Sequence, residues 1–156
     1  VQPRRRPVGG VRDGRFDVAL VNGSLMAGTF KPLRNLWFWI GSWAIAVLVV
    51  VVVCLIPPPP MPSMPENSDK LEHFAAYFLL AASAVQLFRR GWLLCFVGVA
   101  LVAMGVCIEF AQGALTTTRS ADPLDALANT VGVVSGLATV FTPLRDVLLR
   151  LQPRRL

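Results

Sequence analysis

Leu36–Ile56 reads LWFWIGSWAIAVLVVVVVCLI, with no charge from end to end. At 1.5 Å per residue such a helix crosses roughly 30 Å of hydrocarbon. No water is available there to satisfy backbone groups, so the run must bond within itself, as a helix does. Lys31 and Arg34 precede it, as basic residues precede the core of a cleaved signal peptide. Signal cores are shorter, about 7–15 residues with small residues at the exit. This run ends in Pro57-Pro58-Pro59-Pro60, and a retained transmembrane helix is expected.

Outward from that segment lie two further apolar runs, Phe74–Phe88 and Gly91–Ile108. A fourth, Pro123–Leu144, is weaker because Asp125 and Asn129 stand near its start. The expected fold is therefore all-α, a polytopic membrane bundle of four transmembrane helices spanning 31–144. It would follow a flexible basic segment, 1–30, and precede a basic cytoplasmic tail, 145–156. Composition agrees: of 156 residues 54% are hydrophobic and mean hydropathy is +0.59, well outside the balance of a soluble domain. Residues 1–25 show neither helical nor strand periodicity. Met26-Ala27-Gly28-Thr29 looks like a natural start, which would make 1–25 an upstream extension or a flexible arm. Cys54, Cys95 and Cys107 all fall inside apolar runs without C-x-x-C spacing. They read as small core or lipid-facing residues.

A net charge of +6 would suggest nucleic acid in a soluble protein. Here its distribution speaks instead of topology, and no nucleic-acid partner is expected. Lys31 and Arg34 precede the first span, Arg89 and Arg90 separate the second and third, and Arg145, Arg150, Arg154 and Arg155 follow the fourth. By the positive-inside rule these segments are cytoplasmic, with both termini. Pro57–Lys70 and Gly113–Asp122, whose basic residues are Lys70 and Arg119, would face outward. Leu144, Leu148 and Leu151 recur at helical spacing among the arginines of the tail, as in an amphipathic segment lying on anionic lipid. An ordinary stop-transfer tail is the plainer alternative.

The polar residues gather at the outward ends of the spans. On a helix Asp69, Lys70, His73 and Tyr77 share about a 100° arc, and Glu109 and Gln112 are three apart and therefore adjacent. Asp125, Asn129, Gly132 and Gly136 form one stripe whose two glycines would let another backbone approach closely. Packing through that stripe would turn Asp125 and Asn129 into the bundle. Plainer roles compete: Asp69-Lys70-Leu71-Glu72 fits a capping box with Asp69 as N-cap, and Asp122-Pro123-Leu124-Asp125 a capped start with proline at its first position. Capping leaves His73, Tyr77, Glu109, Gln112 and Asn129 unexplained. Arg119 would pair with an acid such as Glu109, Asp122 or Asp125. Together these residues predict one polar site at one membrane face.

The residues resemble the VanZ-like family of small bacterial membrane proteins, named after an accessory protein associated with teicoplanin resistance. A D-K-x-x-H-F-x-x-Y pattern is carried by Asp69, Lys70, His73, Phe74 and Tyr77. An E-x-x-Q pattern is carried by Glu109 and Gln112, and later arginine, aspartate, asparagine and glycine positions by Arg119, Asp125, Asn129 and Gly132. The likeness covers about 36–144. Thr116-Thr117-Thr118 departs from the proline-glycine approach of similar proteins. The resemblance implies a helical bundle in the bacterial inner membrane and supplies no reaction.

Three functions follow as expectations. The first is binding or an accessory envelope role: Glu66, Asp69, Glu72, Glu109, Asp122 and Asp125 outweigh Lys70 and Arg119, which suits a lipid headgroup, an envelope precursor or a cationic glycopeptide. The second is a membrane-embedded enzyme acting on a lipid-linked substrate, with His73, Glu109 and Asp125 as catalytic candidates. The chain has no H-E-x-x-H, G-x-S-x-G or phosphate-cradling loop. Ion-coupled transport ranks last, because the middle of each span lacks ionisable residues. Asp69 and His73, four apart on a helix, offer too few ligands for a metal, and no cofactor is expected.

Overall fold

The computed structural model describes residues 28–56, 68–115 and 122–152. Arg119, the basic arm and most of both loops expected to face outward lie outside them. Four long helices make the body: α1 Leu36–Leu55, α2 Ser68–Leu87, α3 Trp92–Leu115 and α4 Pro123–Ala138. Two 3₁₀ turns, Thr139–Phe141 and Pro143–Asp146, lead into a short helix, α5 Val147–Leu151. Every regular element among the described residues is helical. Leu36–Leu55, Trp92–Ala114 and Pro123–Phe141 are long and apolar enough to cross a membrane. Among the described residues the fold is all-helical, with three helices of membrane-spanning length and apolarity.

Boundaries differ from the sequence expectation for local reasons. Helix α2 is as long as α1 but begins at Ser68, so Asp69, Lys70 and Glu72 load its first turns. Those charges remove it from the group of fully apolar spans. Asp69 lies within the first turn and is not the N-cap expected of it. Helix α3 continues past Ile108 to Leu115, which places Glu109 and Gln112 inside the helix. The fourth run stops as α-helix at Ala138, ahead of Pro143, whose ring cannot continue the hydrogen-bond ladder. The tail then folds back: Gln86 on α2 donates to the Leu144 carbonyl at 2.9 Å and accepts from the Leu148 N–H at 3.2 Å. Leu148 and Leu149 pack against the cluster around Ala84, Leu87 and Phe88.

The helices run alternately up and down. At one end the first turns of α2 and α4 meet the last turns of α1 and α3, the latter two tied by Gln112 Nε2 donating to the Cys54 carbonyl at 2.7 Å. At the other, the Lys31 N–H bonds the Leu87 carbonyl and the Arg89 N–H bonds the Thr29 carbonyl, both at 2.9 Å. Asn35 then takes a left-handed conformation, φ 57°, that turns the chain into α1. Asparagine tolerates that region better than other residues with a Cβ. Lys31 also pairs with Asp146 at 2.9 Å and bonds the Arg145 carbonyl.

The outside is as apolar as the inside, unlike that of a soluble bundle. Trp37, Phe38, Phe96, Val99, Phe110, Leu127 and Val134 are exposed, the condition of side chains that face lipid. Inward, α3 buries Leu94, Gly98, Leu101, Gly105, Ile108 and Gln112 at alternating steps of four and three, the spacing of a knobs-into-holes seam. The tightest contact joins α2 and α4. A Cβ on Gly132 would lie 2.5 Å from the Phe74 carbonyl oxygen, and one on Gly136 2.5 Å from that of Phe78. Only glycine permits this approach, which brings the polar stripe of α4 against that of α2.

Candidate functional site

Three helices contribute to a polar cluster at the end where α2 and α4 begin. Asp122 caps α4: its carboxylate accepts from the Leu124 N–H at 2.8 Å, with Pro123 at the first helical position. This fixes the first turn of α4 and aims Asp125 and Asn129, one turn apart, at α2. The glycine contact one turn further on holds the same face against His73 and Tyr77. Helix α3 brings Glu109 and Gln112 from the third side.

His73, Glu109, Gln112, Asp125 and Asn129 are all buried, and Tyr77 is completely so. His73 Nδ1 lies 3.1 Å from Asn129 Oδ1. An amide oxygen can only accept, so Nδ1 carries the proton and a neutral ring keeps its lone pair on Nε2. That nitrogen is 3.8 Å from Asp125 Oδ2, too far for a hydrogen bond. Glu109 Oε2 accepts from the Asp122 N–H at 3.3 Å. Among the described residues its other oxygen has no hydrogen-bond partner, nor do Tyr77 Oη, Asn129 Nδ2 and Asp125 Oδ1, the last of which Lys70 reaches as an ion pair at 3.5 Å. So many buried atoms without hydrogen bonds in one neighbourhood are unusual, since each ordinarily costs about 1–3 kcal/mol.

Lys70 forms the rim. Its ammonium lies 3.0 Å from Asp122, 3.2 Å from Asp69 and 3.5 Å from Asp125. Asp122 first, and Asp69 next, hold its pKa above the ordinary lysine value of 10.5. The Leu124 N–H first, and Lys70 next, hold Asp122 below the ordinary 3.8. The rim is an ion-pair star that stays charged across the neutral range.

Of the residues singled out in the sequence, His73, Tyr77, Glu109, Asp125 and Asn129 come together, with Lys70, Asp69 and Asp122 beside them. Gln112, buried on the same side, also donates to the Cys54 carbonyl of α1, and Gly132 and Gly136 make the α2 contact. Arg119 lies outside the described residues. Glu72, counted among the outward acids, is exposed. Sequence reasoning missed Gly105. A Cβ there would lie 3.1 Å from Asn129 Nδ2 and 3.2 Å from Tyr77 Oη, so this glycine makes the room in which both sit. Its signal was the position four residues before Glu109 on the inward stripe of α3.

A cleft among the described residues lies elsewhere. About 510 Å³ in volume and lined by Trp39, Trp43, Phe78, Gln86 and Leu148 among others, it flanks the opposite end of α2 and is mostly apolar. The unpartnered acids lie outside it. No protein-family model matches this chain, and neither a curated protein nor a solved structure matches it.

Proposed function

We propose that this protein is a four-span, VanZ-like protein of the bacterial inner membrane whose outward polar site binds a cationic or amine-bearing envelope ligand in an accessory role. Such a ligand would be a lipid headgroup, an envelope precursor or a glycopeptide of the teicoplanin kind. The observation that carries this reading is the pair of buried carboxylates, Glu109 and Asp125, each with an oxygen that has no hydrogen-bond partner among the described residues. A ligand ammonium would satisfy both. Helix α2 is read as the fourth span because its Phe74–Leu87 portion is apolar and its neighbours α3 and α4 are both of spanning character. Cytoplasmic termini follow from the basic residues at the end where Lys31, Arg89, Arg90 and Arg145 gather. Reporter fusions at Arg90 and Thr117 should report opposite compartments; the same compartment for both overturns the topology.

Glu109→Gln and His73→Gln keep volume and some hydrogen-bonding capacity while removing a titratable group. They should leave membrane insertion and expression nearly unchanged. Complementation of a deletion strain, scored by glycopeptide and detergent sensitivity, should nevertheless fail. Full complementation by both variants counts against the binding role. A second reading is a membrane-embedded enzyme acting on a lipid-linked substrate, favoured by a histidine held at Nδ1 with Nε2 turned toward a carboxylate. Turnover of a labelled lipid precursor by purified protein, abolished in His73→Ala, would support catalysis; binding without turnover would support the first reading.

A further inference from the structure

We propose that His73, Glu109 and Asp125 form a site for one divalent first-row metal cation, zinc being the best match. One ligand atom from each lies within 4.8 Å of the other two, and all three residues are buried. A cation at roughly 2.1 Å from each would draw them to separations of about 3–3.5 Å, within reach of side-chain rotation. The donor set, one imidazole and two carboxylates, leaves an open position of the sort that catalytic or ligand-binding metal sites keep.

Two observations beyond the clustering point to a cation. The first is the state of the carboxylates. Glu109 Oε1 and Asp125 Oδ1 are fully enclosed and lack a hydrogen-bond partner among the described residues; there no cationic group pairs with Glu109, and Lys70 reaches Asp125 Oδ1 only at 3.5 Å. Lys70 is closer to Asp122 and Asp69 than to Asp125. Two buried carboxylates so placed repel each other unless positive charge lies between them. The second is the orientation of the imidazole. Asn129 Oδ1 holds the Nδ1 proton and presents the Nε2 lone pair to Asp125. A hydrogen bond that fixes the tautomer from behind is the usual support of a metal-ligating histidine. Asn129 is 1% exposed, so it cannot turn to water instead.

This site was not legible as a ligand pair on one helix. Asp69 and His73 are four apart, but Asp69 is exposed and turned to Lys70; the three ligands come from α2, α3 and α4. The same two carboxylates carry the envelope reading, and the two fail separately: metal stoichiometry is measured on purified protein with no organic ligand present, whereas the envelope role is scored by complementation.

The test uses the full chain purified in detergent, stripped with a chelator and titrated with Zn²⁺, with Co²⁺ as a spectroscopic stand-in. One equivalent should bind and raise the thermal midpoint to a plateau. The Co²⁺ complex should show d–d bands with an imidazole contribution. Glu109→Gln and Asp125→Asn should weaken Zn²⁺ binding by about 100-fold or more, and Asn129→Leu by about 10–100-fold, as loss of a supporting partner does. Asp146→Asn, at the opposite end of the bundle beside Lys31, should leave it unchanged. The proposal is overturned if the unaltered protein binds no stoichiometric metal, as would follow if Arg119 supplied the missing charge. It is equally overturned if Asp69→Asn, and not Glu109→Gln, abolishes binding. Because the Co²⁺ spectrum is read on the unaltered protein, failure of a variant to fold does not remove the test.

Discussion

Helices α1 and α4 are both apolar enough to cross a membrane, yet they are built for opposite surroundings. Helix α1 is the more hydrophobic and has no buried residue at all. Helix α4 carries Asp125, Asn129, two glycines and a serine, and it buries Asp125, Asn129, Gly132, Val133 and Gly136. In lipid, hydrocarbon is as good a neighbour for Val or Leu as another helix is, so apolar side chains alone give no reason to be inside. Small residues, which let backbones approach, and polar residues, which need partners, decide the interior. Hydropathy alone therefore does not tell surface from interior here, whereas small and polar residues within a span mark the interior.

Glycine substitutions should separate the two helices most sharply. Gly132→Leu places a branched chain where even a Cβ meets the Phe74 carbonyl at 2.5 Å. The α2–α4 pair must part, at a cost of about 3 kcal/mol or more. Folded protein recovered from membranes should fall severely. Gly41→Leu on α1, with nothing within 4 Å of its Cβ, should change the thermal midpoint by no more than about 0.5 kcal/mol of stability would. Equal recovery of the two variants would break the contrast.

That asymmetry also explains what could be read beforehand. The span of α1 follows from an uncharged run and nothing else, and the inward face of α4 from four residues at helical spacing. Both depend only on local sequence. What could not be read is set by meetings between helices. The room for Tyr77 and Asn129 depends on Gly105, which lies in another helix, and the grouping of Glu109 with His73 and Asp125 depends on the height at which α3 sits. That Gln112 Nε2 also reaches the Cys54 carbonyl at the end of α1 depends likewise on how the helices meet. Asp69 looked like a cap, and the helix begins one residue earlier.

A smaller effect concerns how α1 is attached. With no buried residue, its directional links to the bundle are few, and one is Trp43 Nε1 donating to the Leu80 carbonyl at 2.9 Å. Trp43 also meets Phe88 edge-on, with ring centroids 6.1 Å apart. Trp43→Phe keeps most of the aromatic contact and deletes the donor, so the loss should be about 0.5–1.5 kcal/mol. Trp43→Ala should cost more, and thermal unfolding in detergent measures both. If Trp43→Phe is as harmful as Trp43→Ala, the hydrogen bond and not the ring secures α1.

The smallest effect is the pH response of the rim where α2 meets α4. Asp122 is held below the ordinary aspartate value of 3.8 by the Leu124 N–H and by Lys70. A depressed carboxylate contributes stability that is present above its unfolded pKa and lost as pH falls through the folded one. Lys70 is held above the ordinary 10.5, by Asp122 foremost. Its contribution is complete below that value and lost only as pH rises through the folded one. Between these limits the star should be constant, so the thermal midpoint should be flat from about pH 5 to 9 as far as these groups decide it. Below the ordinary aspartate value it should decline, by a small amount because exposed pairs are screened. Other carboxylates titrate there too, so the informative quantity is the difference between the unaltered protein and Lys70→Met. That difference should shrink as Asp122 and Asp69 are protonated and Lys70 loses its partners. A difference that stays constant from pH 7 down to 3 would mean that Lys70 supports the α2–α4 end through its methylene stem and that its charge contributes nothing.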